Sequence, residues 1–168
     1  KPRTIEWALE VNLYGVIWTA QAFIPLMEFA RGSRHVGFTA STAALRSPDG
    51  DSPLYGSTKH ATFAFAEALR GELAARKISA TILCPGLLNT KIWDGARARP
   101  PRFGGPRSAD PSISKKWDDA KVPDVMWPEI KKSIAEGGGY LICSTDGQET
   151  KTMFERRARE ISSKIVEI

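Results

Sequence analysis

Tyr55 and Lys59 lie four residues apart in the stretch SPLYGSTKHATF, which spans residues 52–63. On a helix, this spacing puts the two side chains one turn apart on the same face. A free tyrosine ionises at about pH 10, too high for proton transfer at neutral pH, but a neighbouring ammonium favours the phenolate. The pair therefore indicates acid/base chemistry, although the same spacing also occurs on ordinary solvated helix faces.

Two further groups are predicted to reach the same place as Tyr55. Ser41 follows a short buried-strand pattern at residues 36–39, and a hydroxyl there can donate to a substrate oxygen. Pro85-Gly86 follows a second strand pattern at residues 78–84. Ligands of open parallel sheets bind beyond the carboxyl ends of the strands. The sequence therefore predicts that these groups share one site.

The elements that must position these groups alternate between helix and strand. Apolar residues at steps of three and four predict four helical regions, which are 4–30 with Thr4 as its cap, 54–76, about 115–136 with a kink or restart at Pro128, and 148–166. A third strand is predicted from Tyr140 to Cys143, after the break at Gly137-Gly138-Gly139. This order indicates an α/β fold with a parallel sheet. Three strands are too few for a complete doubly wound sheet.

Composition limits the classes of function. The 168 residues fit one domain, and 42% apolar and 26% charged residues are typical of a globular protein. No run of eighteen apolar residues and no signal peptide is present, so neither a membrane span nor secretion is predicted. Two strand-borne cysteines suggest free thiols in the reducing cytoplasm. With His35 and His60 as the sole histidines, no metal site is predicted.

The net charge of +5 is concentrated in one stretch. Residues 91–107 carry five basic residues and one acid, a net of +4, which leaves +1 for the remaining chain. A local patch of this kind does not favour nucleic-acid binding. The surrounding region 85–112 contains five prolines, so residues 91–112 are predicted to form a flexible loop on the substrate side.

Four blocks, in order, resemble the short-chain dehydrogenase/reductase family. They are VNLYG with Asn12, VGFTASTAA with Ser41, YGSTKHA with Tyr55 and Lys59, and PGLLNT with Pro85, Gly86 and Thr90. The resemblance covers nearly the whole chain. It implies that residues 1–168 are the C-terminal part of a Rossmann-like, doubly wound parallel sheet, with about three strands and flanking helices, in a partial NAD(P)-binding domain.

The resemblance also implies a reaction, the interconversion of an alcohol and a ketone or aldehyde with NAD or NADP. Tyr55 would be the general acid/base, and Ser41 would hold the substrate oxygen. Lys59 would favour the Tyr55 phenolate and bind the ribose hydroxyls of the cofactor. Asn12 would hold a water that links Lys59 to a proton relay.

The PGLLNT block would bind the nicotinamide end of the cofactor. Pro85 and Gly86 would form its base, and the Leu88 backbone and Thr90 would fix the carboxamide. Thr90 also fits a simple helix cap. Ala40 stands where the family usually has a second serine, a position outside the proposed chemistry.

The largest departure from the family is the missing glycine-rich turn, which leaves the choice between NAD and NADP open. The chain is therefore expected to be the catalytic part of a longer protein and to be inactive by itself. The alternative is a non-catalytic interaction module that keeps the fold without cofactor binding.

The resemblance further implies a homodimer or homotetramer that pairs through the helices at residues 4–30 and 54–76. Apolar residues on more than one face of these helices agree with that arrangement. They are Trp7, Val11, Tyr14 and Trp18 on the first helix, and Phe63, Phe65 and Ala68 on the second.

Overall fold

Three parallel strands form the centre of the fold, in the spatial order β1-β2-β3. The computed structural model describes residues 2–45, 52–109, 111–144 and 147–165. The strands are β1 (His35–Thr39), β2 (Ser79–Pro85) and β3 (Gly138–Cys143). The helices are α1 (Pro2–Leu9), α2 (Gly15–Glu28), α3 (Pro53–Ala75), α4 (Pro111–Asp118), α5 (Trp127–Ala135) and α6 (Gly147–Ser162). The predicted α/β class and the parallel sheet are confirmed.

Strand β2 is buried on both faces, as expected for the middle strand of a parallel sheet. Ile82 and Cys84 are fully buried on the face that α3 covers. Thr81 points to the opposite face, where its hydroxyl bonds Ser133 of α5 at 2.7 Å. The sheet therefore has helices on both sides, and its carboxyl edge stays available for a site.

Glycine is required where β3 begins. Gly138 has a φ of +90°, and a Cβ atom there would lie 2.1 Å from the carbonyl oxygen of Ala80 on β2. The two strands can approach this closely because no side chain stands between them. The prediction that the glycine run ends before the third strand is wrong, since Gly138 and Gly139 belong to β3.

The predicted helix at residues 4–30 is interrupted. A π-helical turn, Glu10–Tyr14, separates α1 from α2, and the Gly15 N–H bonds the Glu10 carbonyl five residues back. Thr4 is not the cap: the helix already starts at Pro2, and the Thr4 hydroxyl accepts a hydrogen bond from Arg99. Proline suits the first turn because its missing N–H would have no helical partner there.

Helix α3 has clear sequence signals at its start. The Ser52 hydroxyl accepts from the Tyr55 N–H at 3.4 Å, and Pro53 is the first helical residue. Further along, Phe65 packs edge-to-face on Phe38 of β1, and Phe63 stacks on Tyr140 of β3. These two phenylalanines pack on side chains of the sheet and are half-buried; their role in pairing with a partner chain stays a prediction.

Residues 91–107 form two short 3-10 turns, Lys91–Ala98 and Pro101–Phe103. Phe103 and Arg99 are buried against the start of the chain. Backbone bonds such as that from the Arg107 N–H to the Ala96 carbonyl fold this segment locally. Its flexibility stays a prediction. The expected restart at Pro128 is confirmed, since this residue lies in the first turn of α5.

Candidate active site

Three of the predicted catalytic residues meet around the carboxyl end of β1. The Lys59 ammonium donates to the carbonyl of Thr39, the last residue of β1, at 3.1 Å. The same Nζ lies 5.9 Å from the centre of the Tyr55 ring. Ser41 follows two residues after Thr39. The Tyr55–Lys59 pair therefore lies beside the end of β1, and Ser41 follows that end in the chain; the catalytic roles of the three residues stay predictions.

The Ser41 hydroxyl lies between the carboxyl ends of β1 and β2. Its backbone is extended, its Oγ accepts from the Ala43 N–H at 3.2 Å, and it donates to the Pro85 carbonyl at 3.4 Å. A 3.4 Å hydrogen bond is long and therefore weak. The hydroxyl proton can turn from Pro85 to another acceptor at small cost, as a group that binds a substrate oxygen must do.

Tyr55 presents a half-buried ring in the first turn of α3. Within the described residues its hydroxyl has no hydrogen-bond partner, whereas its backbone N–H and carbonyl are both bonded. A phenol held at a strand end with its hydroxyl unused can meet a ligand.

Lys59 is a half-buried cation that, in the described part of the chain, has no carboxylate within ion-pair distance. Burial lowers the pKa of the Lys59 ammonium, and the nearby Cys84 thiol group opposes that shift. An ammonium has three donors, and the structure uses one of them, toward Thr39. Two donors remain for hydroxyl groups of a bound molecule.

Asn12 lies inside the π-helical turn, the distortion that often accompanies a functional site. Its side-chain amide donates to the Thr58 hydroxyl at 3.1 Å, and its backbone carbonyl accepts from the Thr62 hydroxyl at 2.8 Å. Both threonines are fully buried on α3. Asn12 thus fixes the start of α3 against the distorted helix.

Sequence reasoning missed Thr58 and Thr62 as partners of Asn12. A signal was present, because two threonines four residues apart inside a helix are locally unfavourable and call for a packing or hydrogen-bonding reason. Cys84 was also missed as a neighbour of the site. Its sulfur accepts a hydrogen bond from the Ser41 N–H and lies near Lys59. Burial raises the pKa of the Cys84 thiol to about 11.

The PGLLNT block reaches the same edge of the sheet. The Gly86 N–H bonds the Cys143 carbonyl at 2.6 Å, and a Cβ on Gly86 would lie 3.1 Å from that oxygen. Thr90 accepts from the Ile92 N–H at 3.4 Å and so caps the first 3-10 turn, which fits the cap alternative. Leu88 is half-buried between these points. The block is placed beside the candidate site by β2.

Other kinds of site receive no support from the residues described. No three metal-ligating side chains among them lie together, and none of their helices has the length and apolar character of a membrane span. Cys84 and Cys143 are free thiols, the first fully buried and the second partly so, as the strand patterns predict.

A model of the short chain dehydrogenase family matches residues 1–100 of the chain. That range includes Asn12, Ser41, Tyr55, Lys59 and the whole PGLLNT block. The chain belongs to the short chain dehydrogenase family. The expectation drawn from the four blocks is confirmed at the level of the family.

Curated relatives of this short chain dehydrogenase span several activities. A 1-deoxy-11-beta-hydroxypentalenate dehydrogenase of Streptomyces exfoliatus is 31% identical over 140 residues, which are 83% of this chain and 46% of the relative. Retinol dehydrogenase 10 of Xenopus tropicalis is 35% identical over 99 residues, 56% of this chain and 28% of the relative. The chain therefore spans less than half the length of these two relatives.

Solved structures of the family share the fold of the whole chain. A short chain dehydrogenase/reductase from Burkholderia phymatum, in complex with NAD, aligns with a TM-score of 0.81 over 99% of this chain and 61% of its own, at 22% identity. A short-chain dehydrogenase from Streptomyces avermitilis aligns at 0.69, with 19% identity, over 97% of this chain and 60% of its own. These likenesses establish the Rossmann-like arrangement of the three strands.

Proposed function

We propose that the protein containing this chain is an NAD(P)-dependent oxidoreductase that interconverts an alcohol and a ketone or aldehyde. The observation that carries the proposal is the convergence of Ser41, Tyr55 and Lys59 on the end of β1, where the Lys59 ammonium is bonded to Thr39 and faces the Tyr55 ring. Ligands of open parallel sheets bind at this edge.

The residues fit the ribose and nicotinamide of such a cofactor. Lys59 keeps two donors for ribose hydroxyls and has no carboxylate to compete for them within the described residues. Pro85, Gly86, Leu88 and Thr90 would line the nicotinamide end. When bound, the nicotinamide supplies or accepts the hydride.

The protein side chains would handle the proton and the substrate oxygen. In the oxidation direction, the Tyr55 phenolate takes the proton of the substrate hydroxyl; in reduction, the Tyr55 hydroxyl returns it to the carbonyl oxygen. Ser41 donates to that oxygen once its weak bond to Pro85 is released. Lys59 would place a positive charge beside the Tyr55 ring, 5.9 Å from its centre.

Asn12 would act through other residues and not directly on the substrate. Its bonds to Thr58 and Thr62 hold the first turns of α3 in place, and these turns carry Tyr55 and Lys59. A water on Asn12 that links Lys59 to a proton relay is part of the proposal. Asn12 is therefore assigned a positioning role, with the relay as its second role.

The names of the relatives agree with an alcohol as the substrate class. A hydroxypentalenate and retinol both carry a hydroxyl group, and the two relatives named for them are dehydrogenases. For this chain we propose a small-molecule alcohol or its carbonyl product, in a cytoplasmic enzyme. Residues 91–112, which follow the PGLLNT block, would border the substrate.

Replacing Tyr55 tests the proposal most directly. In the complete protein, Tyr55→Phe should lower kcat by about 10²–10⁴-fold while the affinity for the nicotinamide cofactor survives, because only the proton donor is lost. Turnover is measured with a panel of alcohols and ketones, and binding of NADH and NADPH by calorimetry. A Tyr55→Phe enzyme with near-normal kcat would reject the assignment.

The rival reading, a non-catalytic interaction module, makes a different prediction for the same measurements. It requires that the complete protein bind neither cofactor. We propose that the 168-residue chain alone has no measurable turnover, since among the residues that the structure describes one side of β1 has no neighbouring strand. Clear turnover by the isolated chain would contradict this.

We also propose that the complete protein is a homodimer or homotetramer through α1, α2 and α3. Val11, Tyr14 and Trp18 form an exposed apolar stripe at three- and four-residue steps, and the Tyr14 and Trp18 rings lie 5.8 Å apart. Light scattering at micromolar concentration checks the mass. A strictly monomeric species, or a Trp18→Glu variant with unchanged mass, would count against this interface.

A further inference from the structure

A cleft of about 400 Å³ lies between the first turn of α1 and residues 99–107. Its lining residues, which we call the arginine cleft, are Pro2, Arg3, Arg99, Phe103, Gly104 and Arg107. Three of the six are arginines. None of the residues assigned to the proton or hydride chemistry lines it, although four of the six belong to the segment 91–112 that is proposed to border the substrate.

The three arginines of the cleft have no carboxylate partner in the described part of the chain. Two neighbouring arginines do have one: Arg97 pairs with Asp94, and Arg102 pairs with Glu10. The basic segment is therefore divided. Its outer charges are neutralised by acids of the protein, and those that face the cleft are not.

Arg99 is the most unusual member, because its side chain is only 3% exposed. It donates one hydrogen bond, from Nη2 to the Thr4 hydroxyl at 3.1 Å, and its guanidinium lies 5.3 Å from the centre of the Trp7 ring. Its Nε is buried without a partner. A buried guanidinium with an unused donor is costly unless an anion compensates it.

The charges in the cleft also repel one another. Arg99 and Arg107 line the same cleft. Burial lowers the pKa of Arg99, and the positive charge of Arg107 lowers it further. A Cβ on Gly104 would lie 3.8 Å from Nη2 of Arg107, so Arg107 also lies close to this glycine. The cleft thus concentrates positive charge beside the apolar surface of Phe103.

We propose that the arginine cleft binds the carboxylate or phosphate group of a small molecule. Guanidinium groups match both oxyanions, because their planar N–H donors form paired, charge-assisted hydrogen bonds. A bound oxyanion would satisfy the free donor of Arg99 and screen it from Arg107. A bound small anion is sufficient for both effects, and no other segment of protein has to take part.

The cleft contains no proposed catalytic residue, but the helix that borders it leads to Asn12. Thr4, which anchors Arg99, precedes Asn12 by eight residues, or about 12 Å along a helix. The inference does not rest on the proposed dehydrogenase function, because it concerns binding and its test does not measure turnover.

Calorimetry on the complete protein tests the inference with two probes, inorganic phosphate and citrate. Wild type should bind at least one of them at millimolar concentration, and the affinity should fall as sodium chloride is added. Arg107→Gln and Arg3→Gln should each weaken binding by about tenfold, the usual worth of a charge-assisted hydrogen bond. Both side chains are exposed, so these variants should fold normally.

Arg97→Gln is the matched control, because it removes the same charge from the same segment outside the cleft. Dinucleotide sites also attract phosphate. For that reason, only the affinity that Arg107→Gln loses and Arg97→Gln keeps is assigned to the cleft. Absence of binding by both probes, or an equal loss in all three variants, would overturn the proposal. The probe that binds more tightly identifies the oxyanion.

Discussion

Lys59 and Arg99 are two cations removed from bulk water, and neither has a carboxylate partner among the described residues. Lys59 is held by the Thr39 carbonyl and faces the Tyr55 ring. Arg99 is held by the Thr4 hydroxyl and lies over the Trp7 ring. Their immediate surroundings are similar: one oxygen acceptor and one aromatic face for each. For both, burial lowers the pKa.

The two cations differ in how the chain specifies them. Lys59 and Tyr55 share a helix, so their relation is set by local spacing and is visible in the sequence. Arg99 and Thr4 are 95 residues apart, and their contact exists only after the chain has folded. We propose a ligand for both cations. The motif that contains Lys59 is visible in the sequence, whereas the surroundings of Arg99 are visible only in the structure.

Removing Lys59 should give the largest effect. In the complete protein, Lys59→Met should lower kcat by about 10²-fold or more, because the proposed site loses the cation beside Tyr55 and the donors for the ribose hydroxyls. The melting temperature at neutral pH should not fall, since the variant no longer buries a charge. Parallel turnover and thermal unfolding measurements check this separation of activity from stability.

The alkaline region offers a second readout for Lys59. Because its folded pKa lies below the value in the unfolded chain, the unfolded state binds more protons between the two values, and this group makes stability rise with pH there. Lys59→Met should remove that rise. Lys91→Met, at an exposed position, is the control. If Lys59→Met destabilises the folded state enough to account for the whole loss of turnover, Lys59 is a structural residue.

The threonines behind Asn12 should have the next largest effect. Thr58→Val keeps the volume but removes the acceptor of the Asn12 amide, which leaves a polar group without a partner. The free energy of unfolding should fall by about 1–3 kcal/mol. Thr19→Val is the control, because this exposed hydroxyl bonds only the Gly15 carbonyl one turn back. Urea unfolding measures both, and equal losses would show that the Asn12 contact is unimportant.

Most of the fold could be predicted from the sequence wherever apolar residues recur at a constant spacing. The strands and α3 were placed within about two residues, because β-branched runs, Ser52 and Pro53 mark their limits. The interruption of the first helix could not be predicted. The Glu10–Tyr14 turn keeps helical spacing in sequence, and it is stabilised by contacts with Thr58 and Thr62, which are distant in the chain.

The functional residues can likewise be divided into those that the sequence indicates and those whose arrangement only the structure shows. Ser41, Tyr55 and Lys59 could be proposed from the sequence because strand ends, helix spacing and the four family blocks all indicate them. The arginine cleft was seen only as an excess of charge at residues 91–107. Which of those arginines pair with acids, and which remain unpaired, depends on the folding of this segment against α1.

The Cys84 thiol should give the smallest effect, and it tests whether the neighbourhood of Lys59 is as dry as the structure shows. Burial raises the pKa of Cys84 to about 11, although the Ser41 N–H and the Lys59 charge both oppose that shift. The unfolded thiol ionises near its ordinary value of 9.0. The folded state therefore holds this proton over a range in which the unfolded state has lost it.

Wild type should lose about 1 kcal/mol of stability from this group between pH 8 and pH 10. Cys84→Ala lacks this loss and should itself be about 1 kcal/mol less stable than wild type at pH 8, because a small buried group is removed. Urea unfolding at pH 8, 9 and 10 should thus show the two proteins converging as pH rises. A constant difference would mean that water reaches Cys84, and with it the inner side of Lys59.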